Sequence, residues 1–378
     1  MAEPFAVAVA QSVLDDLSAR LRATRWPDAL PGSGWDYGTD LGYLRDLCRT
    51  WADGFDWRRQ EARLNAWPQH VTEIDGARLH YLHARSPHPG ALPLLLTHGW
   101  PGSVVEFLSV LGPLVDPPAH GGDPADAFTV VCPSIPGYGW SGPTRERGWD
   151  VRRVARALAA LMAELGHDRY GAQGGDWGGI ATAHLGVLDA AHLVGIHLNM
   201  ANAPRPRGDD STLDAQEQAD LADMRAFKAR ETGYQAIQGT KPQTLAYALN
   251  DSPAGLAGWV VEKFRAWSDC GGDVESVVDR DDLLANLTTY WVTGTAGSAA
   301  RLYYETFCAL PVMPTQRVEV PTAVARFPRE IYRPPRAWVE AAFDLRRWTV
   351  MPRGGHFAAL EQPDLLVEDV RAFFRDLR

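Results

Sequence analysis

Lysine is almost missing from this 378-residue chain: Lys228, Lys241 and Lys263 are the only three, and arginine supplies the other basic side chains. Even so, 47 acidic residues outnumber 37 basic ones, giving a net charge of −10. That balance argues against a surface built to hold nucleic-acid phosphates and gives no sign of one for membranes. The arginine bias matches a GC-rich genome and carries no function. Cysteine is scarce too. Cys48, Cys132, Cys270 and Cys308 are scattered, with no C-x-x-C pair and no histidine at metal-ligand spacing. A disulfide framework and a structural zinc site are therefore not expected, and structural thiols in a reducing cytoplasm are. No segment nears the roughly 18–20 apolar residues of a membrane span. The N-terminal MAEPFAVAVAQSVLDD has neither a basic n-region nor a long apolar run. Internal repeats and low-complexity tracts are absent as well. A soluble cytoplasmic protein is the expectation.

What is present is an ordinary globular composition, 46% hydrophobic and 22% charged, on a chain long enough for a large core and more than one structural unit. Residues 1–75 read as a helix-rich N-terminal segment. Leu14, Leu17 and Leu21, then Leu41, Leu44, Cys48 and Trp51, fall at helical spacing. From residue 76 the rhythm changes to strand, turn, helix. ARLHYLHA, LPLLLTH, FTVVCPS, RYGAQGG, LVGIHLN, VPTAVARF and RRWTVMP predict strands. Their continuous apolar character fits a mostly parallel sheet with helices on both faces. Covering helices are predicted over 151–165 and from Pro363 onward. After residue 202, PRPRGDDSTLDAQEQAD reads as an exposed link into a mostly helical stretch. The expected architecture is an α/β core in two parts, 76–202 and 317–378, around an inserted helical lid, 203–316.

Residues 170–179, YGAQGGDWGG, place Asp176 among glycines where a predicted strand turns into a predicted helix. Such an elbow needs small neighbours, because its backbone is strained and passes close to adjacent elements. The plainer alternative is an Asp that caps the next helix. A carboxylate at the tip is a nucleophile without deprotonation, and its natural target is a saturated carbon bearing a leaving group. Water must then cleave the resulting alkyl ester at the Asp carbonyl, so an oxyanion hole serves the second step. The backbone N–H groups of Trp177 and of Trp100, in His98-Gly99-Trp100-Pro101, are its candidates. His356, on a Gly-rich loop after the last predicted strand, is the candidate base. Glu330, after VPTAVARF, is the acid that orients it, while His98 reads as structural. The chain order Asp, Glu, His at strand ends makes this an α/β-hydrolase pattern. The leaving group remains open at this point. A halide leaves as an anion and needs only N–H donors, such as Trp177. An opening epoxide becomes an alkoxide and needs an acid, such as a tyrosine of ETGYQAIQ or ARLYYETF.

TRWP, FDWR, HGWPGS, PSIPGYGWS, GGDWGG, ETGY, TKPQT, ALNDSPAGLAGW, FPRE and GGHFAALEQP together resemble the microsomal and fungal type of epoxide hydrolase, over almost the whole chain. The resemblance implies conversion of an epoxide and water to a vicinal diol, with Asp176 as nucleophile, His356 as base and Glu330 as acid. It points to Tyr234 and one of Tyr303 and Tyr304 as the pair that grips the epoxide oxygen. Tyr303 is preferred because it lies two places before a Glu, and Tyr304 is kept as a substrate-binding residue beside Trp100 and Trp177. No cofactor and no metal are implied. The expected partners are a small apolar or aryl epoxide and a second copy of the chain in a homodimer, not nucleic acid or membrane. The membrane anchor of the microsomal members has no counterpart in the sequence, in line with the soluble expectation. Some bacterial members act on natural-product intermediates, including those of enediyne antibiotics, so a biosynthetic role is a further expectation. The alternatives are a haloalkane- or haloacid-type dehalogenase using the same Asp and, less in keeping with an intact triad, a non-catalytic ligand receptor.

Overall fold

A computed structural model describes residues 2–206 and 213–378; part of the predicted link, 207–212, lies outside the described residues. The chain begins with β1 (Glu3–Phe5), α1 (Gln11–Arg22), α2 (Leu41–Asp53), α3 (Trp57–Asn65) and β2 (Gln69–Ile74). The first part of the core follows as β3 (Ala77–Ala84), β4 (Leu92–Thr97), α4 (Leu108–Val115), β5 (Phe128–Pro133), α5 (Val151–Glu164), β6 (Tyr170–Gly174), α6 (Asp176–Leu188) and β7 (Leu193–Leu198). Six lid helices come next: α7 (Ala215–Arg230), α8 (Gly233–Thr240), α9 (Pro242–Asp251), α10 (Pro253–Trp267), α11 (Arg280–Thr293) and α12 (Ala296–Cys308). The chain returns to the core with β8 (Val318–Arg326), α13 (Arg336–Ala342), β9 (Phe343–Val350), α14 (Ala358–Glu361) and α15 (Pro363–Phe374).

The nine strands of the described residues form one sheet in the order β1-β2-β3-β5-β4-β6-β7-β8-β9. It is antiparallel from β1 to β5 and parallel from there to β9. The α/β-hydrolase expectation is met, and the strands predicted from the apolar runs are all present. The helix-rich N-terminal segment holds more than helices, however. Its β1 and β2 extend the core sheet through antiparallel pairing with β3. They escape the sequence reading because β1 has three residues and four of the six in β2, QHVTEI, are polar, as an outer antiparallel strand with one wet face can be. α5 buries Val151, Val154, Leu158, Leu161 and Met162 against the sheet, and α15 buries Leu366, Val370 and Phe373.

The N-terminal helices pack behind the lid. Trp51 is buried and donates its Nε1–H to Thr288 Oγ1 of α11 at 2.9 Å. Thr39 donates to the Gly258 carbonyl of α10 at 2.6 Å, and Arg280 of α11 reaches Asp46 of α2 at 3.0 Å. No helix among the described residues is long and apolar enough to cross a membrane. All four cysteines are free thiols, three of them buried.

Candidate active site

The C-terminal ends of the parallel strands deliver the candidate residues, the end at which open α/β sheets bind ligands. Asp176 follows β6 and opens α6 with φ +49°, in the left-handed region that non-glycine residues rarely enter. Two glycines make this turn fit. A Cβ at Gly178 would stand 1.9 Å from the Thr97 carbonyl oxygen of β4, and one at Gly174 would stand 2.4 Å from the Gly178 backbone. Neither leaves room for a methyl group.

The loop after β4 lies beside this elbow because β4 and β6 are neighbours. There the Trp100 N–H donates to Asp176 Oδ1 at 2.8 Å. The Trp177 N–H, in the first turn of α6, has no acceptor within its own helix. His98 braces the loop. Its Nε2 accepts from the Ile135 N–H at 3.2 Å, which assigns the proton to Nδ1, 3.0 Å from the Gly99 carbonyl. Burial lowers its pKa to about 4, so it stays neutral. The lid holds the same loop through Asn286 to the Pro101 carbonyl and Tyr290 to the Gly102 carbonyl, both at 2.8 Å.

Glu330 and His356 come from the loops after β8 and β9. These adjacent strands continue into a parallel bridge between Arg329 and Gly355, with the Arg329 N–H on the Gly354 carbonyl at 3.1 Å. The result is a buried line of groups: Glu330 Oε1 lies 2.8 Å from His356 Nδ1, and His356 Nε2 lies 3.6 Å from Asp176 Oδ2. Burial alone would depress the imidazole pKa, but the Glu330 and Asp176 carboxylates lift it well above the ordinary value.

Two residues that sequence reasoning missed set the position of His356. Glu361 accepts the N–H groups of Gly355, Phe357 and Asp269 at 2.7–2.9 Å, clamping the loop on both sides of the histidine. Burial raises its pKa to about 7, against the pull of those three donors. The Trp267 carbonyl, at the end of α10, takes the His356 N–H at 2.9 Å, and its ring stands edge-on to the imidazole at 5.1 Å. Glu361 lies inside GGHFAALEQP, a stretch read only for its histidine. The five-residue spacing was visible, but not the turn that brings the carboxylate back.

Above Asp176 the lid encloses a cavity of about 630 Å³, lined among others by Trp177, Tyr234, Tyr303, Phe307 and Trp338. Tyr234 of α8 and Tyr303 of α12 are almost fully buried. Tyr234 stacks on Trp100 at 5.0 Å, Tyr303 meets Trp177 edge-on at 4.7 Å, and the two phenol rings are 6.0 Å apart. Burial and the nearby Asp176 charge push both phenol pKa values up, so both keep their protons. Tyr304 departs from the expectation. It is 40% exposed and lines no part of this cavity. Successive helical residues point about 100° apart, so Tyr303 turned inward carries Tyr304 away.

Residues 2–107 match the family model described as the epoxide hydrolase N terminus, and residues 93–233 match that of the alpha/beta hydrolase fold. Epoxide hydrolase 1 of Oryctolagus cuniculus is 37% identical over 400 residues, spanning 98% of this chain and 88% of its own. The chain belongs to the epoxide hydrolase family. Two solved structures of the family agree in shape. The Aspergillus niger epoxide hydrolase superposes with a TM-score of 0.89 at 31% identity, covering 100% of this chain and 97% of its own. The juvenile hormone epoxide hydrolase of Bombyx mori does so with 0.91 at 28% identity, covering 100% and 95%. The chain is thus an epoxide hydrolase on an α/β-hydrolase fold.

Proposed function

We propose that this epoxide hydrolase works through a covalent ester on Asp176. In the first step Asp176 attacks an epoxide carbon, the C–O bond of the ring breaks, and the released oxygen takes a proton from Tyr234 or Tyr303. In the second step water adds to the ester carbonyl. His356 takes its proton, the Trp100 and Trp177 N–H groups stabilise the oxyanion, and collapse releases the diol. The observation that carries this reading is the facing pair: one carboxylate with two buried, protonated phenols above it and a histidine below it.

The same geometry times the base. While Asp176 is an anion, it helps to keep His356 protonated. Esterification removes that charge and the imidazole pKa falls, so His356 releases its proton to replace the one the phenol gave up and is then free to accept one from the attacking water. Glu330 supports the imidazolium that follows. The phenol pair favours an epoxide over a halide, since a departing halide needs no proton.

The cavity volume admits an apolar epoxide well above the smallest aryl compounds in size. An aryl-bearing or natural-product substrate, as in an antibiotic-type pathway, belongs to the same proposal, as do a cytoplasmic location and a homodimer. The division into an N-terminal segment 1–75, core parts 76–202 and 317–378, and lid 203–316 is likewise part of the reading.

The test is a rapid-quench experiment with styrene oxide and excess enzyme. His356→Gln is expected to accumulate an adduct on the Asp176 peptide, detected by mass, and Asp176→Asn to form none and turn over nothing. Absence of an adduct in the His356 variant would overturn the scheme.

A further inference from the structure

A second, much smaller cavity lies behind Asp176, about 20 Å³ in volume and lined among others by Glu106, His356, Asn199 and Asp176. That is room for about one water molecule. Among the described residues, Asp176 alone lines both this cavity and the large one beneath the lid. We infer that Glu106 and Asn199 hold the hydrolytic water in this cavity, so that it reaches the Asp176 ester from the side opposite the substrate. The inference rests on the ester reading above and adds two positioning residues to it.

The geometry of an attacking water sets what such a cavity must supply. One lone pair points at the carbonyl carbon of the Asp176 ester, and one O–H points at His356 Nε2, which takes the proton. The other O–H needs an acceptor and the other lone pair a donor, or the molecule can rotate out of line. Glu106 is built for the acceptor. It follows the oxyanion loop by a few residues, within the helical turn Val104–Phe107 that leads into α4, and its carboxyl group folds back over Gly102. A Cβ at Gly102 would stand 1.3 Å from Glu106 Oε1, so only glycine leaves that space. Among the described residues no side chain hydrogen-bonds the carboxyl group; its protein partner is the Ser103 backbone. Although deep in the protein it keeps some accessible surface, as a group lining an internal cavity does.

Asn199 supplies the donor. It follows β7, and its Oδ1 already accepts from Gln173 Nε2 at 2.8 Å, which leaves the Nδ2 hydrogens to be shared. That amide nitrogen lies beside Gly175, the residue before the nucleophile, where a Cβ would approach it to 2.5 Å. Burial, with the Asp176 charge against the pull of His356, raises the Glu106 pKa to about 8. At neutral pH Glu106 is therefore mostly uncharged, and it accepts through its carbonyl oxygen without placing a second anion against Asp176.

The step balances. The water oxygen bonds to the ester carbonyl carbon, its proton passes to His356, and the acyl–oxygen bond to the alkyl group breaks. His356 returns that proton to the departing alkoxide, which becomes a diol hydroxyl; Asp176 keeps one oxygen from water, and its acid proton, water's second hydrogen, returns His356 to its protonated resting state. In a two-step covalent scheme, slowing only the second step lowers kcat and KM together and leaves kcat/KM alone.

Glu106→Ala and the isosteric Glu106→Gln separate this role from a structural one. With styrene oxide, Glu106→Ala is expected to alkylate at the wild-type rate, lose at least tenfold in kcat, lower KM in proportion and accumulate the Asp176 adduct. Glu106→Gln keeps a carbonyl acceptor and is expected to hydrolyse the ester faster than Glu106→Ala. A fall in kcat/KM matching that in kcat in Glu106→Gln, or no adduct in either variant while His356→Gln accumulates one, would overturn the assignment. If His356→Gln shows no adduct either, the ester reading fails first. Should Glu106→Ala not fold, the glutamine variant decides.

Discussion

Asp176 is held in a left-handed backbone conformation that costs a non-glycine residue of the order of 1–3 kcal/mol, and the surrounding glycines let neighbouring strands press it into place. The strain serves exposure: the turn lifts the carboxylate off the sheet toward both the phenols and the imidazole. The phenols carry the prediction at this scale. Tyr234→Phe and Tyr303→Phe should each lower kcat/KM for styrene oxide by about 10²-fold, within the usual range for a general acid, while the fold is kept. A doubly substituted enzyme that still opened the epoxide at the wild-type rate would remove the acids from the scheme. At this scale much of the site was legible in the sequence. Asp176, His356 and Glu330 stand at strand ends with glycine or proline nearby, and local spacing reveals that. Glu106, Asn199 and Glu361 were not legible. Each looks like an ordinary polar residue until folding sets it against a cavity or a loop that lies elsewhere in the chain.

At the scale of elements, the register between β8 and β9 aligns Glu330 with His356, and α15 locks that register from outside. Asp369 of α15 is buried and accepts from His197 of β7 at 3.0 Å and from Arg347 and Thr349 of β9 at 2.7 Å. Burial opposes its ionisation, yet these donors outweigh it and bring its pKa down to about 2. A carboxylate with a depressed folded pKa contributes stability above its unfolded value and loses it as pH falls through the folded one. The contribution is about 2 kcal/mol at neutral pH. Asp369→Asn should therefore be less stable than wild type by about that amount at pH 7, and the gap should shrink below pH 4. Denaturant melts across that range check it; a gap independent of pH would show that the loss is one of packing. The lid helices and parallel strands were readable from their apolar periodicity. β1 and β2 were not, since short, half-wet strands at an antiparallel edge have little pattern of their own.

At the scale of the whole molecule, the N-terminal helices act as a back plate for the lid. Trp51 fills the contact, so Trp51→Ala should cost roughly 3–5 kcal/mol. The prediction is a clear drop in the thermal midpoint, with styrene oxide turnover retained at low temperature. An unchanged midpoint would mean that the contact bears no load. The back plate also keeps Asn286 and Tyr290 on the loop after β4, so support that begins at residues 39–51 ends beside Trp100, whose N–H donates to Asp176. Between lid and core, Asp176 is the one described residue that faces both cavities, and this has a stereochemical outcome. Carbon is approached from behind once, at ring opening, and the later cleavage falls on the acyl side of the ester oxygen. Under the proposed Asp176 ester scheme, configuration therefore inverts at the attacked carbon and is untouched at its neighbour, so a symmetrical ring such as cyclohexene oxide is expected to leave only as the trans diol.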